Sequence, residues 1–450
     1  MVMIKFHVGH LVRLFGLETA EYNDRIARVM SSLNAEDETY DVGLIDAADD
    51  IIPPLRVKPE NMVHVCYHCH QVGVTKLSYC GKCKTATYCS PICQQQDWRR
   101  HKLVCEQLRV NRIIRKVPLF AAVESGDLVE VQKLVEQGAA VNMEAGKDRM
   151  TALYVSAMKG HLEVAQFLVQ QGADKDKADI DGFTASCAAA EYGHFAVLQY
   201  LIDEGANKDW AVAHGRTALL IATQHGHVPM VEYLTQQGAD MDKATDTGAT
   251  ALIVASQEGH LSIVQCLVAA GASKDLTTNH GRTALLLAAQ NGYLAIVRCL
   301  MDHGADKNIA ATNGAMAIHV ACQNGHLPVV QYLIEEGQGV DINKAANGGA
   351  TALYLASQQG HLPVVKHLVE QGADINQSNG DDATPLLIAS QLGHLSVVQY
   401  LAQQGADVNL PTLDGATPLY VATSSGRPAV AAYLREHGAV LSACLPMVLD

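Results

Sequence analysis

The 450-residue sequence lacks long apolar runs, and no stretch approaches the ~18 consecutive apolar residues of a membrane-spanning helix. The opening stretch MVMIKFHVGHLVRLFG is interrupted by Lys5, His7, His10 and Arg13, so it does not have the continuous apolar core of a secretory signal. We therefore expect a soluble protein without membrane association. We place it inside the cell, in the cytoplasm, the nucleus or both, where thiols stay reduced.

Aromatic residues make up only 5% of the sequence and charged residues 18%, yet 48% of it is hydrophobic. That share leaves ample material for a packed interior and gives no signature of disorder. Neither a Gly-rich phosphate loop nor a nucleophile elbow occurs in the sequence. We expect that the protein is not an enzyme, and we assign no catalytic residues.

The net charge of −14 is unevenly spread. Residues 61–116 contain ten Lys and Arg against two acidic residues, so this segment carries +8 and the rest of the chain −22. Such a basic segment can steer an acidic partner, or it can be a solvated helix face. A regulator that binds nucleic acid or chromatin through this segment is therefore the alternative function, although nucleic acid is not the expected partner.

Seven of the twelve cysteines lie between positions 66 and 105. Two pairs have two-residue spacing, and two pairs have the i, i+4 spacing that places both ligands on one helix face. Eight ligands make two tetrahedral sites without an open position, which is typical of structural zinc. A segment of ~40 residues buries too little apolar surface to fold alone, so we expect two structural Zn²⁺ per chain. The candidate ligands are Cys66, Cys69, Cys80, Cys83, Cys89, Cys93, His101 and Cys105.

The order of these ligands and the frame YCSPICQQQDWRRHKLVC resemble the MYND zinc finger over residues 66–105. The resemblance implies interleaved pairs, with Cys66, Cys69, Cys89 and Cys93 on one zinc and Cys80, Cys83, His101 and Cys105 on the other. It also implies a protein-interaction module that takes short proline-containing peptides, with Gln94 and Trp98 at the matching positions. Trp98 can equally pack over the zinc, and the two roles are compatible. His64, His68 and His70 are rival ligands, although a surface position explains them more simply.

A repeat of 33 residues fills most of the remaining chain. Two residues are inserted before Gly349, and a degenerate first copy starts near Val117, which makes ten units. The other units are marked by Arg149, Gly182, Gly215, Gly248, Gly281, Gly314, Asp382 and Gly415.

Each unit has the pattern of two helices joined by a turn. A Thr such as Thr250 can cap the first helix, and the Gly of the GH dipeptide can end it. A second apolar stripe, as at Val329 and Leu333, marks the second helix. The pattern resembles the ankyrin repeat over residues 117–440, which implies a mainly α-helical solenoid. One unit has Met316 in place of the Thr, and there we expect weaker capping.

The resemblance implies a concave groove, faced by the two residues before the GH glycine. One of these two positions is glutamine in six consecutive units, and we name this set the amide column: Gln224, Gln257, Gln290, Gln323, Gln358 and Gln391. Amides can read an extended backbone. Shared ancestry of the copies, or bonding between stacked amides, is the simpler explanation. We expect the groove to hold a second, unidentified protein that is not highly charged.

Residues 1–63 alternate short apolar segments with turn-prone residues, which predicts four or five strands and a small barrel that resembles SH3-like segments. Its role is either packing and spacing or binding. We expect residues 64–105 to form the finger, 106–116 a basic helical linker, 117–440 ten repeats and 441–450 a tail, in a monomer. Four cysteines in the repeats should be free thiols: Cys187, Cys266, Cys299 and Cys322.

Overall fold

The computed structural model describes residues 118–335 and 340–441 with their side chains, and it describes seven strands between positions 11 and 88 by their backbone. The chain divides into two compact units, Met1–Ala139 and Ala140–Asp450, which are described separately below. The predicted linker at 106–116 and the tail after residue 441 lie outside the described residues.

The first unit contains a five-stranded antiparallel sheet of strand order β4-β3-β2-β1-β5. The first four strands lie within residues 1–63, where the alternation predicts four or five strands, and β5 spans the predicted boundary between residues 63 and 64. Closure of this sheet into a barrel stays a prediction. The strands are Leu11–Leu14 (β1), Ile26–Val29 (β2), Tyr40–Leu44 (β3), Leu55–Val57 (β4) and Met62–His64 (β5).

Two further elements of the first unit follow this sheet. Ser78–Tyr79 (β6) and Thr87–Tyr88 (β7) form an antiparallel pair in the region of the predicted finger. The degenerate first repeat is confirmed as a helix pair, Pro118–Ser125 (α1) and Leu128–Glu136 (α2). Asp127 caps α2, since its carboxylate accepts the backbone N–H of Glu130 at 3.0 Å.

The described residues of the second unit form nine further helix pairs, so the predicted mainly α-helical solenoid is confirmed, and we number the pairs as repeats 2 to 10. Each first helix packs against its own second helix and against the first helices of its neighbours, while the second helices contact one another in turn. The first helices are Ala152–Lys159 (α3), Ala185–Tyr192 (α5), Ala218–Gln224 (α7), Ala251–Glu258 (α9), Ala284–Gln290 (α11), Ala317–Gln323 (α13), Ala352–Gln359 (α15), Pro385–Leu392 (α17) and Pro418–Ser424 (α19). The second helices are Leu162–Gln170 (α4), Phe195–Asp203 (α6), Val228–Gln236 (α8), Leu261–Ala269 (α10), Leu294–Asp302 (α12), Leu327–Glu335 (α14), Leu362–Glu370 (α16), Leu395–Gln403 (α18) and Pro428–Glu436 (α20).

Threonine starts eight of the nine first helices in the second unit, as the sequence predicts. The hydroxyl accepts the backbone N–H three residues on, for example in Thr250 with Ile253 at 3.4 Å and in Thr151 with Tyr154 at 3.0 Å. The glycine of the GH dipeptide then ends the helix at positive φ, as at Gly259 with φ 84°. These two signals mark the start and the end of the first helix in eight of these nine repeats.

Repeat 7 caps its first helix differently, as the substitution of Met316 for threonine predicts. The Met316 side chain makes no capping hydrogen bond. Instead the backbone N–H of Met316 donates to Nδ1 of His319 at 3.1 Å, and Nε2 of this ring bonds the Lys344 carbonyl at 2.8 Å. The histidine therefore compensates for the missing cap by bonding one backbone group on each side.

The core of the array is built from side chains of both helices of each repeat. Ala255, Val264 and Leu267, for example, are fully buried. The four repeat cysteines are free, as predicted, and Cys187, Cys299 and Cys322 are buried. Burial raises the pKa of the Cys187 thiol to about 11. No described helix has the length and apolar character that crossing a membrane requires.

Candidate functional site

The predicted zinc ligands, together with Gln94 and Trp98, lie outside the described residues. In the sequence, Cys80 directly follows β6 and Cys89 directly follows β7. Because β6 and β7 are antiparallel, the C-terminal ends of these two strands lie at opposite ends of the hairpin. Among the residues described with their side chains, no group of three or more His, Cys, Asp or Glu residues is placed to hold a metal.

All six members of the amide column lie in the last turn of a first helix, in repeats 4 to 9. Gln290 and Gln358 are half-buried, and the other four are exposed. The Gln257 amide donates to the neighbouring Glu258 carboxylate at 3.2 Å. The other five amides make no hydrogen bond to any described residue. Bonding between stacked amides therefore does not explain the column.

The backbone of the amide column, in contrast to its side chains, is fully engaged. Each carbonyl accepts a hydrogen bond from a side chain of the next repeat, at 2.9 to 3.5 Å. The donor is the histidine of the GH dipeptide in four cases, Asn291 in one and Arg427 in another. These bonds hold the helix ends in register and involve only the backbone of the column residues.

The same histidines also pack on the glycine of the preceding repeat. A Cβ at Gly292 would lie 2.5 Å from Nδ1 of His326, and one at Gly360 would lie 2.5 Å from Nδ1 of His394. Only glycine leaves room for the ring there. We name this pair of contacts, ring on glycine and ring nitrogen on carbonyl, the histidine lock. The sequence analysis missed it, although GH recurs at the period of 33.

A second set of bonds joins the repeats at their connecting loops. An Asp or Asn side chain in eight of these loops accepts a backbone N–H about one repeat later at 2.8 to 3.0 Å, for example Asp209 from Asp240 and Asn376 from Asp407. The spacing of 31 or 32 residues was visible in the sequence but not interpreted. With the histidine lock, it fixes neighbouring repeats at two separate places.

Charged and aromatic side chains are engaged with each other in repeats 2 to 4. Arg149 and Lys177 pair with Glu144, at 2.6 and 3.2 Å. Hydrogen bonds first from Arg149 and then from Lys177 lower the pKa of Glu144 to about 2. Between repeats 3 and 4, the Arg216 guanidinium lies 5.2 Å from the centre of the Phe183 ring.

Repeats 8 to 10 instead present a strip of small and aliphatic side chains, which we name the apolar strip: Ala350, Leu355, Ala383, Ile388 and Val421. Ala350, Leu355 and Val421 are half-buried and pack against the buried cluster that contains Ala383 and Ile388. Leu355 and Ile388 lie one helical turn before Gln358 and Gln391, so strip and amide column share one side of the first helices.

Comparison with known families accounts for this architecture. A family model of ankyrin repeats, written as three copies, matches residues 99–179, 174–245, 236–311, 306–379 and 377–443. The chain belongs to the ankyrin-repeat family. A MYND finger model matches residues 66–105, so the chain also contains this zinc-binding module. Both are protein-interaction domains, and the predicted order of finger and array is confirmed.

Individual relatives match only short segments. Tudor domain-containing protein 1 of Oryzias latipes is 38% identical over 50 residues, 11% of this chain and 4% of that protein. N-lysine methyltransferase SMYD2 of Homo sapiens is 47% identical over 45 residues, 10% of each chain, in the finger region. Ankyrin repeat and KH domain-containing protein mask-1 of Caenorhabditis elegans is 36% identical over 59 residues, 13% of this chain and 2% of that protein.

The chain thus spans a tenth or less of these curated relatives. Among solved structures, the ankyrin repeat domain of Bcl-3 is similar, with 33% identity, a TM-score of 0.43, and coverage of 49% of this chain and 99% of that one.

Proposed function

We propose that this chain is a non-catalytic, monomeric scaffold inside the cell, in which the finger takes a short proline-containing peptide and the groove of repeats 2 to 10 holds a second protein. The amide column carries the proposal. It presents a carboxamide at the same position of six consecutive repeats, and five of these amides have no partner among the described residues. An amide head donates and accepts, so the row can bond a protein backbone.

In the finger, we propose that two zinc ions are held by interleaved ligand pairs. Seven thiolates and one imidazole suit Zn²⁺ and leave no open coordination position. The match of residues 66–105 to the MYND finger model supports this assignment. Bound zinc supplies folding free energy to the segment, and Trp98 and Gln94 then contact the peptide.

Metal analysis tests this assignment. Purified full-length protein should contain two zinc ions per chain, and Cys89→Ser should lower the zinc content while the helical signal of the array stays nearly intact, because repeats contact mainly their neighbours. Trp98→Ala should keep both ions. One zinc or none in protein that has never met a chelator would refute the two-ion assignment.

Paired variants of the full chain test the scaffold itself. Trp98→Ala should abolish binding of proline-containing peptides at the finger and retain the groove's protein partner. Replacing Gln257, Gln290 and Gln323 with Ala should do the reverse. The control replaces Gln237, Gln371 and Gln404, which are exposed at the ends of second helices, and should change neither. Loss of both partners in every variant would contradict two independent surfaces.

The same binding experiment separates the alternative, nucleic-acid binding by the basic segment 61–116. Association through phosphate contacts weakens steeply between about 50 and 200 mM salt, whereas amide and apolar contacts do not. Retention of partners at the higher salt supports the scaffold, and release of a co-purifying nucleic acid supports the alternative.

A further inference from the structure

Building on the proposed function of the groove, we infer the class of segment that its C-terminal half recognises. Repeats 7 to 10 take an extended polyproline II segment that carries apolar side chains and one basic side chain. Its backbone carbonyls face the amides of Gln323, Gln358 and Gln391, and its apolar side chains face the apolar strip. Its basic side chain reaches the hairpin tips, which are the turns just before the first helices.

The spacing of the amides favours polyproline II over other extended forms. Packed helices lie about 8–10 Å apart, so the amide column repeats at that interval. A polyproline II helix turns once in three residues and rises about 3.1 Å per residue, which returns an equivalent carbonyl every ~9 Å. A β-strand presents equivalent groups every two residues, about 6.6 Å, and falls out of step with the column.

The bonding capacity of the two partners also matches. A polyproline II backbone forms no internal hydrogen bonds, so its carbonyls need donors. The amides of Gln323, Gln358 and Gln391 make no hydrogen bond to described residues, so their N–H groups are available as donors. A bound α-helix would gain little here, because its own backbone bonds are internal.

The apolar strip supplies the contacts that proline and leucine side chains require. Leu355 and Val421 are half-buried, and Leu392, beside Gln391, is 38% exposed. In repeats 7 to 10, the residue before the N-cap of the first helix is alanine, for example Ala350 and Ala383. The same position holds Phe183 in repeat 3 and Arg216 in repeat 4. The small residues leave the strip open to a chain laid along it.

Charge supplies the last element of the match. Residues 311–325, 346–360, 379–393 and 412–426 form the tips and first helices of repeats 7 to 10, and they contain no Lys or Arg. They contain three exposed aspartates at the tips, Asp381, Asp382 and Asp414. Arg427 follows the last stretch, and its guanidinium donates to the Gln391 carbonyl at 3.2 Å. The tips therefore favour a basic side chain on the bound segment.

The test uses a synthetic peptide of about ten residues, an arginine followed by alternating proline and leucine, and the full chain carrying Trp98→Ala to remove binding at the finger. Calorimetry should show binding that weakens about tenfold or more when Gln323, Gln358 and Gln391 are replaced by Ala, since each lost hydrogen bond weakens binding roughly two- to tenfold. The matched replacement of Gln237, Gln371 and Gln404, which are exposed at the ends of second helices and lie outside the amide column, should have little effect. Unchanged thermal unfolding shows that both variants are folded.

Three comparison peptides decide the class of segment. Glycine in place of proline removes the preformed helix and should weaken binding, and glutamate in place of arginine should do the same. A Thr-Val peptide of equal length should bind more weakly than the proline peptide. Equal binding of the Thr-Val peptide, no binding of the proline peptide, or no effect of the Gln323, Gln358 and Gln391 replacements would overturn the inference. If the groove partner still depends on the amide column in such a case, the scaffold function stands and only the segment class is wrong.

Discussion

Repeats 2 to 4 and repeats 7 to 10 share one scaffold and present different surfaces. In both regions a threonine caps the first helix, with Met316 as the exception, and a side chain of the next repeat bonds a first-helix carbonyl, as His194 does with Met158 and His394 with Gln358. On the surface, charged and aromatic groups pair with each other in the first region. In the second region the first helices carry neutral amides and small aliphatic groups, and the charged–aromatic pair of Lys366 and Tyr400 lies on the second helices.

The comparison shows why this array tolerates variation on its groove. The bonds between repeats end on backbone carbonyls and on loop Asp and Asn side chains, so they do not depend on the side chain at the amide column. Met158, for example, occupies the column position in repeat 2, and its carbonyl accepts a hydrogen bond from His194 all the same. Stability therefore rests on the backbone carbonyls of these residues, and the recognition that we propose would rest on their side chains.

The largest expected effect tests whether the scaffold is the same in both regions. Gly160→Ala in repeat 2 and Gly360→Ala in repeat 8 each place a methyl group against the histidine of the next repeat, at φ of 77° and 76°. Each should lower the free energy of unfolding by about 3 kcal/mol, from left-handed strain together with the displaced ring. Chemical denaturation measures this loss.

Gly238→Ala is the control for these two variants, because φ is 70° there and no atom lies within 4 Å of the added methyl. It should cost about 1 kcal/mol through backbone strain alone. If one of the two variants, Gly160→Ala or Gly360→Ala, lost about 3 kcal/mol of unfolding free energy and the other lost almost none, the two regions would not share the histidine lock.

The next effect belongs to repeat 7 and depends on pH. Burial lowers the pKa of His319, whose Nδ1 must stay unprotonated to accept the Met316 N–H. The stabilising contribution is complete above the ordinary pKa of 6.5 and is lost as the pH falls through the lowered folded-state pKa. The melting temperature of repeats 6 to 8 should therefore fall as the pH is lowered below 6.5 through the lowered pKa of His319, and hydrogen exchange resolves this loss by repeat.

His319→Leu is the matched variant for this pH effect. It removes the titrating group, so the protection of repeat 7 against exchange, corrected for the intrinsic rate, should be lower at pH 7 and should lose most of its pH dependence below pH 7. Persistence of the wild-type pH dependence in this variant would assign the effect to another residue.

A smaller effect tests the paired charges of repeat 2. The carboxyl of Glu144 should titrate near pH 2, and Arg149→Ala should raise its pKa toward the ordinary 4.5 because the first of its two donors is gone. The folded-state pKa is lowered, so the contribution of this cluster is present above pH 4.5 and is lost as the pH falls toward 2. NMR titration of Glu144 measures both values, and an unchanged pKa in the variant would contradict the pairing.

The smallest effect concerns the tip of repeat 9. Asp382 adopts φ of 57°, where most other repeats have glycine. Asp382→Gly should relieve this strain and raise the free energy of unfolding by up to about 1 kcal/mol. It also removes one tip charge, so it should slightly weaken binding of a basic peptide. A stability loss in thermal melts would show that the Asp382 carboxylate stabilises the turn.

Much of the fold was predictable because the signals are local and recur with the repeat. The threonine caps, the helix-ending glycines and the buried stripe at Val329 and Leu333 all follow from spacing of 33 residues. The first repeat at 118–136 was recovered in the same way, although its sequence is degenerate.

The contacts between repeats were harder to foresee, because they join residues about 31 to 38 positions apart. The GH histidine reads as a helix terminus in a single repeat, and only the neighbouring repeat shows what its ring touches. The sequence also did not show whether the six glutamine amides bond one another, because a row of identical glutamines is compatible with both arrangements. The sequence predicts that Met316 cannot cap the first helix of repeat 7. It did not predict that the ring of His319 would accept the Met316 N–H in compensation.

NMR of the glutamine side-chain amides tests the recognition by the amide column most directly. The full chain, labelled with ¹⁵N at glutamine side chains and carrying Trp98→Ala, is titrated with the arginine-containing proline–leucine peptide. The account predicts that the amide signals of Gln323, Gln358 and Gln391 shift together, while those of Gln224 and Gln257 stay in place. Shifts confined to repeats 4 and 5, or saturable binding with no shift in any amide of the column, would contradict it.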